Sequence, residues 1–300
     1  MTFTCTLCPR RCGSLRTDET GGGFCQAPAL PILARAALHF GEEPCISGEN
    51  GSGTVFFSGC TLSCQFCQNQ EISRTPRGVP VTPYRLAEIF RELTDQGAHN
   101  INLVSPTPYV LAIREALDIY HPPVPVIYNT GGYERVETLR LLEGYIDGYL
   151  PDLKYVSDDL AKALSGAANY PDHARAALSE MIRQTGPVQL DDQGLLKKGT
   201  IVRHLVLPGH TNESLAVLRW LRDALPHGTY VSLLFQYTPM GDVDGFPALS
   251  RRLTARECEK VWNALLDCGL TDGYVQQRDS AGKEMIPAFD LTGVLKTEKK

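Results

Sequence analysis

No run in the 300-residue chain approaches the roughly 18 apolar residues that a spanning helix needs. The N-terminal MTFTCTLCPRRC has no apolar stretch of the secretory kind, so the chain is expected to stay in the cytoplasm, away from membranes. Basic charge is short as well: 29 Lys and Arg against 34 Asp and Glu leave a net charge of −5. Apart from Lys296, Lys299 and Lys300 at the end, the basic residues are scattered, and nucleic acid is not expected as the main partner. The seven histidines make no HxxxH or HExxH pattern. His204 and His210, at either end of a predicted strand, are expected to be bonded structural residues, not bases. GENGSGT (48–54) lacks the lysine of a phosphate loop and precedes a strand where such a loop would follow one.

What the chain does have is cysteine, ten residues in all. A reducing cytosol disfavours disulfides, which leaves metal binding or catalysis as the usual reason for clustered thiols. Cys5, Cys8, Cys12 and Cys25 crowd the first 25 residues, and Cys60, Cys64 and Cys67 lie within GCTLSCQFCQN. Cys45, Cys258 and Cys268 stand apart. Cys258 falls with Ala255, Val261, Trp262 and Leu265 on one helical stripe and is expected as a small core residue. Cys45 is either a buried residue or a substitute for one member of the first set.

Residues 1–50 are rich in Cys, Gly and Pro, with one short apolar patch, LPILARAALHF, and read as a small Cys-rich module. From about residue 51 to 290 short apolar runs alternate with amphipathic segments, and 291–300 form a tail. TVFFSG (54–59), INLVS (101–105), VPVIYN (124–129), GYLPDLK (148–154), IVRHLVLPG (201–209) and YVSLLFQY (230–237) read as buried parallel strands. One helix is predicted to open on Thr82 as N-cap with Pro83 behind it and Leu86, Ile89, Phe90 and Leu93 on one face, and others near 108–120, 134–143, 157–164, 171–184, 211–224 and 251–268. Around 188–202 an Asp-Asp-Gln-Gly turn predicts a small hairpin. Strand then helix, repeated about six times, implies an α/β fold: a parallel sheet closed wholly or partly into a TIM-like barrel, with an open doubly wound sheet as the alternative.

Cys60 follows directly on the first predicted strand, so its loop sits at the strand's C-terminal end, where α/β barrels place their chemistry. Three thiolates can hold three irons of a [4Fe-4S] cluster and leave the fourth iron open for a ligand. A zinc knuckle borrowing a distant fourth ligand is the alternative. Cys5-x2-Cys8-x3-Cys12-x12-Cys25 supplies four soft ligands in a core-poor segment, a second metal site that zinc, an auxiliary [4Fe-4S] cluster or no metal at all would satisfy.

Cys60-x3-Cys64-x-Phe66-Cys67 resembles the signature of the radical S-adenosylmethionine (SAM) superfamily, with the aromatic residue before the last cysteine. The resemblance implies a partial (β/α)6 barrel and a cluster whose open iron is chelated by SAM. It further implies reductive cleavage of SAM to a 5′-deoxyadenosyl radical that abstracts a hydrogen atom. Later stretches resemble the pyruvate formate-lyase activating enzyme branch. By that resemblance Asp152 and Lys154 of PDLKY meet the SAM amino-acid moiety, Arg203 reaches SAM, and Gln236 or Tyr237 meets the nucleoside. Where most members carry Gly-Gly-Glu for the SAM amino group, this chain has Ser105-Pro106-Thr107-Pro108, so by the resemblance the amino group meets the Ser105 or Thr107 hydroxyl or backbone carbonyls. Asn129 and Thr130 of YNTGGYE are candidate site residues or simply a capped turn.

EEPCISG, CQNQEIS and IPAFDLTGV resemble a subgroup of activating-enzyme-like proteins with an N-terminal CxxCPxxC element. The resemblance implies a glycyl-radical-type protein as partner and a flavodoxin- or ferredoxin-type reductant. Radical modification of a peptide, RNA or small molecule is the second reading, and a non-catalytic zinc-binding module is the third.

Overall fold

The computed structural model describes residues 2–241, 243–277 and 286–296. Ile32–His39 forms strand β1, and the strands that follow are β2 (Ser52–Phe57), β3 (Ile101–Val104), β4 (Val126–Thr130), β5 (Gly148–Pro151), β6 (Leu196–Leu205), β7 (Tyr230–Leu234) and β8 (Gly273–Gln276). From β2 to β8 each strand pairs in parallel with the next. That order is the partial TIM-like barrel expected from the strand-helix rhythm, extended by β8, a strand the sequence reading did not anticipate. Its residues GYVQ follow a long amphipathic helix and are only half buried, so they lack the apolar run that marks the others.

The apolar patch LPILARAALHF becomes β1, which runs antiparallel to β2 with Ala36 opposite Val55 and His39 opposite Ser52. A two-residue strand at Val79–Pro80 pairs outside β1. Gln189–Leu190 pairs antiparallel with Leu196–Lys198, which is the expected hairpin.

The helices are α1 (Pro83–Asp95), α2 (Val110–Ile119), α3 (Val136–Arg140), α4 (Asp158–Ser165), α5 (Tyr170–Thr185), α6 (Thr211–Ala224) and α7 (Ala255–Asp267). Their ends are written locally. Thr82 Oγ1 accepts from Arg85 N, and Pro83 opens α1 where its missing N–H costs nothing. Ser157 caps α4 and Gly166 ends it in the left-handed conformation; Thr254 and Glu257 form a capping box on α7. On α7 Val261 and Leu265 are buried and Cys258 packs against them, but Ala255 and Trp262 face outward, Trp262 being 37% exposed. The expected stripe was therefore too wide, because α7 covers the barrel at its edge and buries a narrow face.

Between β1 and β2 a short helix, Pro44–Ser47, lies across the N-terminal ends of the parallel strands. Cys45 and Ile46 pack there with Ile127, Leu150, Leu196 and Ile201. The barrel is thus closed at that end and its lumen is reached from the C-terminal ends of the strands.

Candidate functional site

The loop carrying Cys60, Cys64 and Cys67 leaves β2 through Gly59, whose φ of +87° and whose approach to the Cys25 carbonyl exclude a side chain. Leu62 and Phe66, between the cysteines, are buried and pin the loop to the core. Ser63 N and Gln65 N donate to the last carbonyls of α4, Ser165 O at 3.1 Å and Leu164 O at 2.9 Å. Arg10, from the N-terminal segment, bridges the same two elements by donating to Thr61 O (2.6 Å) and Gly166 O (2.9 Å). Its guanidinium lies 3.3 Å from the centre of the Phe24 ring.

The three thiols stand half exposed at the strand end. Burial pushes the Cys60 thiol up to about 12, with Cys64 and Cys67 adding to the shift, and burial also raises Cys64 against the pull of Lys154. Three soft donors on one loop, with no fourth cysteine beside them, suit an iron-sulfur cluster with one open iron. Among the described residues no three His, Cys, Asp or Glu side chains group tightly enough to hold a single metal ion. A polynuclear cluster spaces its thiolates farther apart than one ion does.

A cavity of about 250 Å³ opens beside this loop and is lined by Cys64, Cys67, Asn129, Asp152, Lys154, Arg203 and Gln236. These seven residues come from five strand ends, those of β2, β4, β5, β6 and β7, because inward-facing residues alternate along each strand and the register sets Asp152 level with Arg203. Lys154 Nζ pairs with Asp152. Burial opposes the lysine's charge, but Asp152 and Cys64 outweigh it and hold its pKa well above the usual value. Tyr237 turns away from the cavity and donates to Leu249 O at 2.6 Å, which leaves Gln236 as the side chain of that pair on the cavity wall.

Arg203 is held by two acidic residues that sequence reasoning did not single out. Its Nε donates to Glu43 Oε1 at 2.9 Å, and Nη2 contacts both Glu43 Oε2 and Glu42 Oε2. Glu43 is fully buried; burial works against its charge, but Arg203 prevails and keeps its carboxyl below the usual range. Glu42 Oε1 accepts from Asn102 Nδ2 (3.0 Å) and Asn129 Nδ2 (3.4 Å). The available signal was EEPCISG itself: two adjacent carboxylates directly before a proline-started helix whose other residues are all core.

Ser105 and Thr107 do not line the cavity. Ser105 has a φ of +58°, and Thr107 is buried with its hydroxyl donating to Glu134, as does Thr130. Burial pushes the Glu134 carboxyl up to about 7. Pro108 O accepts from buried Arg16 at 2.5 Å, so the Ser-Pro-Thr-Pro loop ties the barrel to the N-terminal segment. In the NTGG turn a Cβ on Gly132 would stand 2.2 Å from Asp152 O, and Tyr170 OH bridges Gly131 O and Asp152 O. These glycines allow close packing of two strand ends.

His204 is buried between Leu153 O (2.7 Å from Nδ1) and Ser214 Oγ (2.9 Å from Nε2), which is the structural role expected of it. In the N-terminal segment Cys5, Cys8 and Cys25 are buried and Cys12 is exposed. Cys25 Sγ accepts from Arg16 at 3.1 Å; burial raises the Cys5 and Cys8 thiols, with Cys25 beside both and Cys12 beside Cys5 adding to the shift. Cys45 is buried in the barrel floor, away from that set.

A family model for the radical SAM superfamily matches residues 54–236. Uncharacterized protein MJ0674 of Methanocaldococcus jannaschii is 31% identical over 266 residues, which cover 86% of this chain and 72% of that protein. Among solved structures, Streptococcus suis SuiB bound to S-adenosylmethionine aligns with a TM-score of 0.51 at 14% identity, over 73% of this chain and 48% of that one. HydG, a maturase of the [FeFe]-hydrogenase, aligns at 0.50 and 13% identity, over 78% of this chain and 53% of HydG. The chain spans about half the length of these two structures. The family match and the strand-end thiols agree: the chain belongs to the radical SAM superfamily, a class of enzymes that bind SAM at a [4Fe-4S] cluster. Among the described residues no helix is long and apolar enough to cross a membrane.

Proposed function

We propose that this protein is an activating enzyme of the glycyl-radical type, which draws a hydrogen atom from a partner protein. The observation that carries the reading is the shared cavity, where two of the three loop thiols stand beside a Lys-Asp pair and an acidic floor. Cys60, Cys64 and Cys67 would hold the cluster, and the group supplies, when bound with SAM, a one-electron cleavage to methionine and a hydrogen-abstracting 5′-deoxyadenosyl radical.

The chain's own residues bind and orient. Lys154, steadied by Asp152, is a point charge suited to the SAM carboxylate. Glu42 and Glu43 face a single guanidinium, so one carboxylate charge is in surplus at the cavity floor. SAM carries a net positive charge through its ammonium and sulfonium, and Glu42 is the residue assigned to the ammonium. What favours it over Thr107 is that the Thr107 hydroxyl is spent on Glu134. Gln236 offers an amide to the nucleoside, and Asn129 holds Glu42 in place.

The cavity opens at the C-terminal ends of the strands, and a glycine in a slender polypeptide loop is a hydrogen donor narrow enough to enter it. The electron would come from a flavodoxin- or ferredoxin-type protein in the cytoplasm. The N-terminal cysteines would hold zinc or an auxiliary cluster that braces the Arg10 clamp. The test is release of 5′-deoxyadenosine by the anaerobically reconstituted protein, with Cys60→Ala, Cys64→Ala and Cys67→Ala each abolishing it. Transfer of deuterium from a glycine-labelled partner into 5′-deoxyadenosine tests the substrate class, and undeuterated product would overturn that part.

A further inference from the structure

The cysteine loop is fed by a hydrogen-bond chain that neither ligation nor SAM binding requires. Ser165, the last residue of α4, is completely buried, and its Oγ donates to Cys64 Sγ at 3.0 Å. Tyr155 OH, also completely buried, lies 2.9 Å from the same Oγ. A serine hydroxyl has one proton, and here it points at sulfur, so Tyr155 is the donor to Ser165. The direction is therefore Tyr155 to Ser165 to Cys64.

The register of this chain is held from both sides. Ser63 N and Gln65 N, the backbone neighbours of Cys64, donate to Ser165 O and Leu164 O. Arg10 fastens Thr61 O and Gly166 O on the outer side. Cys64 is also the most strongly polarised of the three thiols. Among the described residues Cys60 Sγ receives only the Leu62 amide, at 3.4 Å, and Cys67 Sγ stands 3.4 Å from Ser73 Oγ.

We propose that Tyr155 and Ser165 raise the reduction potential of the cluster by donating this chain to the Cys64 sulfur, with Tyr155 acting as a positioning residue through Ser165. The inference rests on the radical SAM reading of the site. One-electron reduction adds negative charge to the cluster and its sulfurs, and a donor aimed at a ligating sulfur favours the more negative state. A second donor behind the first polarises it further. The consequence is a cluster that a one-electron protein donor of ordinary strength can reduce.

The experiment is a potentiometric titration of the reconstituted full-length protein without SAM, followed by EPR, with dithionite as reductant. At the wild-type midpoint, Ser165→Ala is expected to lower the ratio of reduced to oxidised cluster about tenfold, the effect of losing one hydrogen bond to a charged group. Tyr155→Phe, which is nearly isosteric, is expected to lower it in the same direction by less. Iron content and visible absorption stay at wild-type levels in both. A Ser165→Ala protein with full iron and an unmoved midpoint would overturn the proposal. If Ser165→Ala does not load iron, Tyr155→Phe decides it: an unmoved or raised midpoint overturns it. A wild-type protein that takes up no iron overturns the radical SAM reading instead, so the two failures are distinct.

Discussion

Glu42 Oε2 lies 2.5 Å from Arg203 Nη2, across the lumen and 161 residues away along the chain. This contact brings the β1–β2 connection into the cavity, with the Glu42 carboxylate on its wall. Glu42→Gln keeps the shape and removes the surplus charge. SAM binding to the reconstituted protein, measured calorimetrically, is expected to weaken about tenfold, the scale of one charge-assisted hydrogen bond. Unchanged affinity would assign the ammonium to another group.

Glu43 has a different task. It is fully buried and its carboxylate faces the Arg203 guanidinium through two nitrogens. Glu43→Ala leaves a buried guanidinium with Glu42 alone and is expected to cost about 3–5 kcal/mol in urea unfolding. Glu42→Gln, in which the Glu43 pair survives, is expected to cost much less.

Two buried titratable groups give opposite pH slopes to stability. Burial lowers His204 to about 4, so between the ordinary histidine value near 6.5 and 4 the unfolded chain binds a proton that the folded chain refuses. Stability from this group is therefore complete above pH 6.5 and falls on acidification. Glu134, raised by burial to about 7, does the reverse: the folded chain keeps its proton, and stability is lost as pH rises from the ordinary carboxyl value through 7. Each slope is about 1.4 kcal/mol per pH unit. Between pH 4.5 and 6.5 they oppose each other, so in urea unfolding the stability of Glu134→Gln is expected to rise more steeply with pH than that of the wild type, and the stability of His204→Gln less steeply. Matching slopes in the two variants would contradict the assignment.

The N-terminal cysteines are testable by metal content alone. After anaerobic purification, Cys5→Ala with Cys8→Ala is expected to lose the metal of one site, a zinc ion or the irons of a cluster, while the Cys60 loop keeps its iron. Loss of zinc means a structural site, and loss of iron an auxiliary cluster. An unchanged metal content means that these thiols hold none.

The strands from β2 to β7, the helices between them and the three-thiol loop were legible because each is a local pattern. Apolar runs, caps such as Thr82 and Ser157, and Cys spacing are set by neighbours within a few residues. Asp152, Lys154 and Arg203 stand at the ends of strands that the apolar runs mark, and the structure sets all three on the cavity wall. β8 was missed for want of an apolar run, and the outward face of Trp262 was missed because periodicity gives the angle of a helix residue but not the width of the face its neighbours cover.

By itself the sequence determined the alternation of strands and helices, and with it the placing of Cys60, Cys64 and Cys67 at a strand's C-terminal end. Short-range sterics, hydrogen bonding and burial suffice for that. Only the tertiary structure decided that Glu42 and Glu43 would meet Arg203, that Thr107 would turn to Glu134, and that Ser165 would reach Cys64. Those pairings depend on strand register and on how far the sheet closes, which are summed over the whole chain and written in no short stretch of it.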